Sequence, residues 1–206
     1  MAMVLSQLVP LSQVQIIATD LDENVIQKAK LGVYPERSLA EVPKDIQAKY
    51  FEQEGNFYRV KDDIKRCVTF KKHNLLKDNY DSHYDLIVCR NVMIYFTEEA
   101  KDQIYANFSK ALRKDGILFV GSTEQIFNPS RYEFEVEDTF FYRKKIVNNM
   151  KSIRTVDKKR VMYINCQALD IDDRTLFACP KQRAYDFYSS LQNNLFFKQI
   201  VQNIRI

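Results

Sequence analysis

Short apolar runs alternate with helical stripes along the first two thirds of the chain. The runs at residues 86–89 and 117–120 are continuous, and the run at 14–18 is interrupted only by Gln15. Runs of this length without polar alternation are typical of strands that are buried on both faces of a parallel sheet. Shorter runs at residues 57–60 and 66–70 indicate two further strands.

Two stripes of apolar residues at helical spacing separate these strands. Asp22 is placed to cap the first helix and Gly32 to end it. Thr97 is placed to cap the second helix, whose apolar side runs from Ile104 to Leu112. The spacing therefore predicts one helix after the strand at 14–18 and a second helix between the strands at 86–89 and 117–120.

The resulting order of strands and helices predicts the fold class. Strand, helix, strand pair, helix and strand, followed by an alternating hairpin at residues 134–144, favour a Rossmann-like α/β sheet. We expect one domain over residues 1–145. The tail at residues 146–206 begins as a polar, basic linker, and its apolar runs, such as residues 161–164, have no clear partner.

Composition excludes several classes of protein. Of the 206 residues, 46% are apolar, and the net charge of +4 forms no basic stripe, so we expect no nucleic-acid binding. Four scattered cysteines and two histidines predict no metal site, and they fit a reducing cytoplasm. The uncharged first nineteen residues are interrupted by polar side chains, and no apolar stretch is long enough to span a bilayer, so we expect no membrane insertion.

Polar side chains follow the predicted strands, where open α/β sheets bind their ligands. Asp20 is placed to hydrogen-bond ribose hydroxyls, although Asp20 or Asp22 could instead cap the next helix. Asn74 carries an amide that suits an adenine edge, although an Asn there could simply form a turn. His73 and His83 are isolated, and we expect both at the surface.

A denser polar group follows the strand at residues 85–89. Arg90, Asn91 and Tyr95 are crowded into a few positions, although Arg90 could also be an ion-pair partner. Residues 122–124 (Ser-Thr-Glu) follow the next strand in the same way. Because this placement recurs at several strand ends, the sequence predicts a single cleft at one edge of the sheet.

A glycine-rich turn after the first strand, which nucleotide sites on such sheets ordinarily use, is missing from the sequence. Gly32, Gly55, Gly116 and Gly121 form no cluster, and no strand is predicted before residue 14.

Several segments, in this order, resemble the CheR-type chemotaxis receptor methyltransferases. They are residues 16–22 (IIATDLD), 32–34 (GVY), 50–51 (YF), 73–76 (HNLL), 89–96 (CRNVMIYF) and 119–124 (FVGSTE). The resemblance implies an enzyme that uses S-adenosylmethionine to form methyl esters on glutamate side chains of chemotaxis receptors. It covers roughly residues 1–145, and the segment at 89–96 is the most specific.

By position, the resemblance also implies the residues that bind the cofactor. Asp20 matches the ribose-binding acid, and Asn74 and Leu75 match contacts on the adenine side. Cys89 and Arg90 would line the cofactor cleft.

The same resemblance implies catalytic roles for Arg90 and Tyr95. Tyr95 would face the methyl group and orient the reacting groups, and Arg90 would hold the cofactor or a neighbouring carboxylate. A glutamate is already ionised at neutral pH, so positioning and electrostatics would supply most of the catalysis.

The family also has parts that this sequence lacks. A helical domain, a first strand and a loop resembling Gly-x-Ser-x-Gly-Glu-Glu precede the helix within which Met1 begins. We therefore expect an N-terminally truncated enzyme whose sheet lacks its first strand and exposes an apolar edge. Residues 46–66 match a small β-subdomain that helps to dock receptors.

Two alternatives to an active enzyme stay open at this point. The chain could be a catalytically inactive remnant or a receptor-binding module that acts through residues 46–66. A nucleic-acid methyltransferase would share the fold, but its Asp/Asn-Pro-Pro-Tyr/Phe motif does not match residues 90–95.

Overall fold

The computed structural model describes residues 1–40, 42–121, 124–145 and 158–164. The strands are β1 (Val14–Asp20), β2 (Val33–Pro35), β3 (Phe51–Glu54), β4 (Phe57–Val60), β5 (Val68–Lys72), β6 (Tyr84–Cys89), β7 (Leu112–Val120), β8 (Phe134–Asp138), β9 (Phe141–Lys144) and β10 (Lys159–Ile164). The α-helices are α1 (Ala2–Leu5), α2 (Glu23–Leu31), α3 (Lys44–Tyr50), α4 (Asp62–Arg66) and α5 (Glu98–Ala111). Ser122, Thr123, residues 146–157 and residues 165–206, which include Cys166 and Cys179, lie outside the described residues.

The main sheet confirms the predicted Rossmann-like α/β class. Over the described ranges its strand order is β5-β1-β10-β6-β7-β9-β8. The strands from β5 to β7 run parallel, whereas β9 and β8 form the predicted antiparallel hairpin at the end. Parallel strands put their carboxyl ends at one edge of the sheet, which is where such folds bind ligands.

Both faces of this sheet are covered by apolar side chains. Strand β6 is buried along its whole length, and its alternate residues contribute to two different clusters. Leu86 and Val88 pack on the side of α1, whereas Ile87 and Cys89 pack on the side of α5. Burial on both faces explains why the run at 86–89 is continuously apolar.

Strand β10, which comes from the tail, lies inside the main sheet between β1 and β6. It pairs in parallel with β1 on one side, from Val14 opposite Lys159, and with β6 on the other, from Leu86 opposite Val161. Strands β1 and β6 are therefore both paired on the sides that face each other. Within the described residues, the exposed apolar edge that a missing first strand would leave is not found there. That expectation was wrong because the pattern at 161–164 marks a strand but carries no information about its partners.

A second sheet within the described residues is small and antiparallel, with the order β2-β4-β3. Its buried residues Phe51, Tyr58 and Val60 belong to the same apolar cluster as α1. It overlaps the segment at 46–66 for which the sequence predicts a receptor-docking subdomain, and that role stays a prediction.

Local signals of the sequence set the helix ends as expected. The Asp22 carboxylate accepts from the backbone N–H of Asn24 and caps α2, and Gly32 ends this helix in the left-handed conformation. Thr97 caps α5 through the N–H of Ala100. Within the described ranges, no helix combines the length and the apolar character that a bilayer crossing requires.

Candidate functional site

The carboxyl ends of β5, β1, β10 and β6 lie side by side at one edge of the main sheet. After β1 the chain moves outward to β5, and it then crosses to β6 on the other side of β10. This reversal of direction is a topological switch point, which is the usual ligand position in open α/β sheets. The predicted site residues therefore belong to neighbouring strand ends.

Asp20 ends β1 and is buried. Its Oδ1 accepts the backbone N–H of Asp22 at 2.9 Å, and its backbone carbonyl accepts the N–H of His73 at 2.9 Å. The cap of α2 is supplied by Asp22, so the two acids have different roles in the structure. The ribose-binding role of Asp20 stays a prediction that this position supports.

Asn74 follows β5 and forms a turn. Its Oδ1 accepts the backbone N–H groups of Leu76 and Lys77 at 3.0 and 3.2 Å. The turn-forming interpretation is therefore confirmed for this oxygen, and an adenine contact would use the amide Nδ2 as donor. Leu75 is buried beside it in the core cluster that includes α5.

His73 is buried, which corrects the expectation that it lies at the surface. Its ring packs edge-on against Tyr80 with the centroids 4.7 Å apart, and its Nδ1 lies 4.0 Å from Asp78 Oδ2. Burial lowers the pKa of His73, and the negative charge of Asp78 opposes this effect. The sequence did not indicate this burial, because the neighbours of His73 in the chain are mostly polar and its aromatic partner Tyr80 lies seven residues farther along.

Two buried polar atoms close to Asp20 lack a hydrogen-bond partner among the described residues. They are Oγ1 of Thr19 and Nε2 of His73. Buried polar atoms without a partner are uncommon in proteins, and at a ligand-binding edge they offer hydrogen bonds to a polar ligand. These two atoms therefore leave hydrogen-bonding capacity at this end of the sheet.

Cys89 and Arg90 end β6 and continue into the next turn. Cys89 is fully buried in the core. The guanidinium of Arg90 lies over the ring of Phe119 at 5.0 Å, and Phe119 in turn stacks on Phe141 with centroids 4.2 Å apart. An aromatic platform of this kind fixes the orientation of a guanidinium and supports its positive charge.

A tight turn carries the remaining polar residues of this segment. Asn91 has a positive φ of 58°, and a short 3-10 helix at Met93–Tyr95 follows. Tyr95 leaves about half of its surface exposed, as does Ile94. Tyr95 is thus accessible at the edge where the resemblance expects the methyl acceptor.

Glu124 holds this turn, and it is the residue that the sequence left without a role. Its Oε2 accepts the N–H groups of Gly121 and Asn91 at 2.8 and 2.7 Å, and its Oε1 accepts those of Val92 and Met93 at 2.6 and 2.7 Å. The acid at a strand end was visible in the sequence. Its donors, 31 to 33 residues earlier in three cases, were not.

An open cavity of about 270 Å³ adjoins Glu124. Met93, Ile94 and Tyr105 form part of its wall, and Phe127, which is fully exposed, lies at the same cavity. The cavity gives small molecules a route to the surroundings of Glu124.

Asp20, Asn74 and Arg90 end or follow strands at one edge of the sheet, and they form two groups. Asp20 and Asn74 lie on adjacent strand ends, whereas Arg90 is separated from Asp20 by β10. Two strand spacings correspond to about 10 Å. One extended ligand can bridge such a distance.

The chain belongs to the family described as CheR methyltransferase, SAM binding domain, which it matches over residues 1–142. Membership of this family assigns S-adenosylmethionine as the cofactor. A SAM-dependent methyltransferase domain is consistent with the Rossmann-like sheet and with the polar residues at its strand ends.

Several relatives are named as chemotaxis protein methyltransferases of bacteria. The chain is 38% identical over 144 residues to a chemotaxis protein methyltransferase of Listeria monocytogenes, with 70% of this chain and 55% of the relative covered. It is 36% identical over 131 residues to one of Borreliella burgdorferi, with 62% and 46% covered. The chain thus spans about half the length of the curated relatives that it matches.

Similar solved structures include a TehB-like SAM-dependent methyltransferase of Corynebacterium glutamicum. The identity is 16%, the TM-score is 0.36, and 69% of this chain and 83% of that one are covered. This likeness is too distant to add to the assignment, which rests on the sequence matches.

Proposed function

We propose that this chain methylates glutamate side chains of chemotaxis receptors, with S-adenosylmethionine as the methyl donor. One observation carries the proposal: Asp20, Asn74 and the turn from Arg90 to Tyr95 share one edge of the sheet, at its switch point. The relatives named as chemotaxis protein methyltransferases supply the substrate class.

In this proposal, the residues at β1 and β5 hold the nucleoside. The Asp20 carboxylate accepts hydrogen bonds from the ribose hydroxyls, as acids at this position of such sheets do. Asn74 donates through Nδ2 to the adenine ring, and Leu75 supports the ring from the core. The bound cofactor supplies an electrophilic methyl group on a sulfonium.

Arg90 and Tyr95 act on the other side of β10. The acceptor glutamate is ionised at neutral pH and needs no general base. Arg90, fixed over Phe119, holds the cofactor or the acceptor carboxylate, and Tyr95 orients the reacting groups. Such alignment lowers reaction barriers by up to roughly 7–11 kcal/mol in favourable cases.

The reaction takes place on the cytoplasmic side in this proposal. The donor and the acceptor glutamates would both be available there. The cysteines Cys67 and Cys89, which are free and buried, are compatible with a reducing compartment.

Transfer of a radiolabelled methyl group to receptor-containing membranes tests the proposed function. The full chain should produce base-labile label on the receptors, and Arg90→Ala should reduce it at least tenfold. Lys110→Ala is the control, because Lys110 is an exposed cation in the last turn of α5, outside the segment predicted to dock receptors. Absence of label with the full chain, at a concentration where it binds the donor, would contradict the proposal.

A receptor-binding module without activity is the second candidate. It is favoured by two exposed aromatic residues of the small sheet, Tyr34 and Phe57. Such a module would retain receptors in a pull-down experiment and transfer no label, and Phe57→Ser would weaken the retention. The two measurements together separate the candidates.

A further inference from the structure

We infer that Glu124 is the positioning residue that fixes the turn carrying Arg90 and Tyr95 at the cofactor edge. The effect on the cofactor rests on the proposed function, whereas the effect on the turn does not. We further infer that the backbone N–H groups around Glu124 form an anion site that accepts a carboxylate from solution when the Glu124 side chain is removed.

Glu124 is an unusually complete hydrogen-bond acceptor. Its side chain is buried, and each carboxylate oxygen accepts two backbone N–H groups within 2.8 Å. Bonds from N–H groups to an ionised carboxylate are shorter and about twice as strong as those between neutral groups. Four of them stabilise a buried negative charge that would otherwise be costly.

The donors show what Glu124 controls. Three of the four come from Asn91, Val92 and Met93, which directly follow Arg90 and lead into the 3-10 helix that contains Tyr95. A non-glycine residue such as Asn91 adopts a positive φ at some energetic cost, so the turn needs outside support. Glu124 supplies it from the neighbouring strand connection.

Gly121 supports the same interpretation. A Cβ atom at this position would overlap Oε2 of Glu124 and approach the backbone nitrogen and Oδ1 of Asn91 at 3.1 Å. Only glycine lets the carboxylate and the turn approach each other this closely. Gly121 and Glu124 are therefore explained by the need to seat a carboxylate against the turn.

Convergent backbone N–H groups form concave anion sites in proteins, and here the protein's own side chain fills one. The cavity that Glu124 and Met93 help to line provides access from outside. A small carboxylate such as acetate can therefore reach the site once the side chain is shortened.

The first experiment compares three variants of the full chain: Glu124→Ala, Glu124→Gln and the exposed control Glu135→Ala. The measured quantities are the affinity for S-adenosylhomocysteine and the thermal midpoint, with 100 mM sodium acetate or an equal ionic strength of sodium chloride. We expect E124A to bind at least tenfold more weakly in chloride and to recover at least threefold in acetate. E124Q should also be weaker but should not recover, because its amide still fills the site.

The second experiment reads the turn directly and does not depend on ligand binding. In a nitrogen-15 correlation spectrum, the amide protons of Gly121, Asn91, Val92 and Met93 should lie far downfield in the wild type, as expected of hydrogen bonds to a carboxylate. At least two of them should move upfield in E124Q. This variant keeps the side-chain volume and covers the case in which E124A does not fold.

The outcomes decide the inference separately from the proposed function. If E124Q leaves the four amide signals in place, or if acetate raises the midpoint of E135A as much as that of E124A, the inference is overturned. If the wild type binds no S-adenosylhomocysteine, the proposed function fails, while the amide shifts and the acetate-dependent midpoint still decide the role of Glu124.

Discussion

Arg160 donates its backbone N–H to Oδ2 of Asp85 at 2.8 Å, and this bond joins the strand from the tail to the central strand β6. The other oxygen of Asp85 accepts Nε of Arg113 at 2.6 Å, so one buried carboxylate links β10, β6 and β7. The guanidinium of Arg160 also lies over the ring of Tyr84 at 5.0 Å. The entry of β10 into the sheet is thus fixed by specific polar contacts as well as by strand pairing.

Asp85→Asn should destabilise the chain because it removes the charge that both donors share. Hydrogen bonds to charged groups contribute about 1.5–3 kcal/mol, and partial exposure of Arg113 reduces this, so we expect a loss of about 2 kcal/mol. Urea denaturation measures it. Asp63→Asn is the control, since Asp63 is exposed and pairs with Arg66 on one turn of helix. Equal midpoints for the two variants would show that Asp85 does not join β10 to the sheet.

The same substitution at two valines tests the position of β10 between β1 and β6. Val161 is buried between β1 and β6, whereas Val136 on the terminal strand β8 is mostly exposed. Val161→Ala should cost about 2–3 kcal/mol of unfolding free energy, because it removes buried apolar surface and leaves a cavity. Val136→Ala should change it by less than about 0.5 kcal/mol. The same small effect for both would place Val161 outside the core.

The sequence predicted what local pattern determines and missed what distant contacts determine. The continuous run at 86–89 marked β6, and Asp22 marked the start of α2, because burial on both faces and capping leave signals within a few residues. The partners of β10 and three of the four donors to Glu124 lie tens of residues away. Nothing in their own segments specifies them, so only the structure could show them.

The burial of His73 predicts a pH dependence of stability. Its pKa in the folded chain is lowered from 6.5, chiefly by desolvation. Well above pH 6.5 the imidazole is neutral in both the folded and the unfolded chain, so its protonation does not reduce the free energy of unfolding. As the pH falls below 6.5, the unfolded chain takes up the proton first, so stability is lost until the pH has passed the folded pKa.

His73→Gln should therefore flatten the profile of stability between about pH 7 and pH 5 relative to the wild type. Urea midpoints at four pH values across this window measure the slope. Parallel profiles for the two proteins would contradict the buried position of His73.

The contact between Arg90 and Phe119 predicts that charge alone does not suffice at position 90. Lysine keeps the positive charge but loses the planar group that stacks on the ring. A cation–π contact contributes about 0.5–2 kcal/mol, so Arg90→Lys should weaken binding of S-adenosylhomocysteine by about 2- to 30-fold. Phe119→Leu should weaken it within the same range, and Arg66→Lys should not. Unchanged affinity of Arg90→Lys and Phe119→Leu for S-adenosylhomocysteine would show that Arg90 does not belong to the cofactor site.

Calorimetric titration of S-adenosylhomocysteine into the full chain, with Asp20→Asn and Asp22→Asn measured in parallel, tests the central claim most directly. The two isosteric changes lie two residues apart, and asparagine caps a helix as well as aspartate does. We expect measurable binding to the wild type and to D22N, and an affinity at least tenfold lower for D20N, because only Asp20 would face the ribose. No binding to the wild type at millimolar ligand, or equal affinity of both variants, would contradict a cofactor site at the ends of β1, β5 and β6.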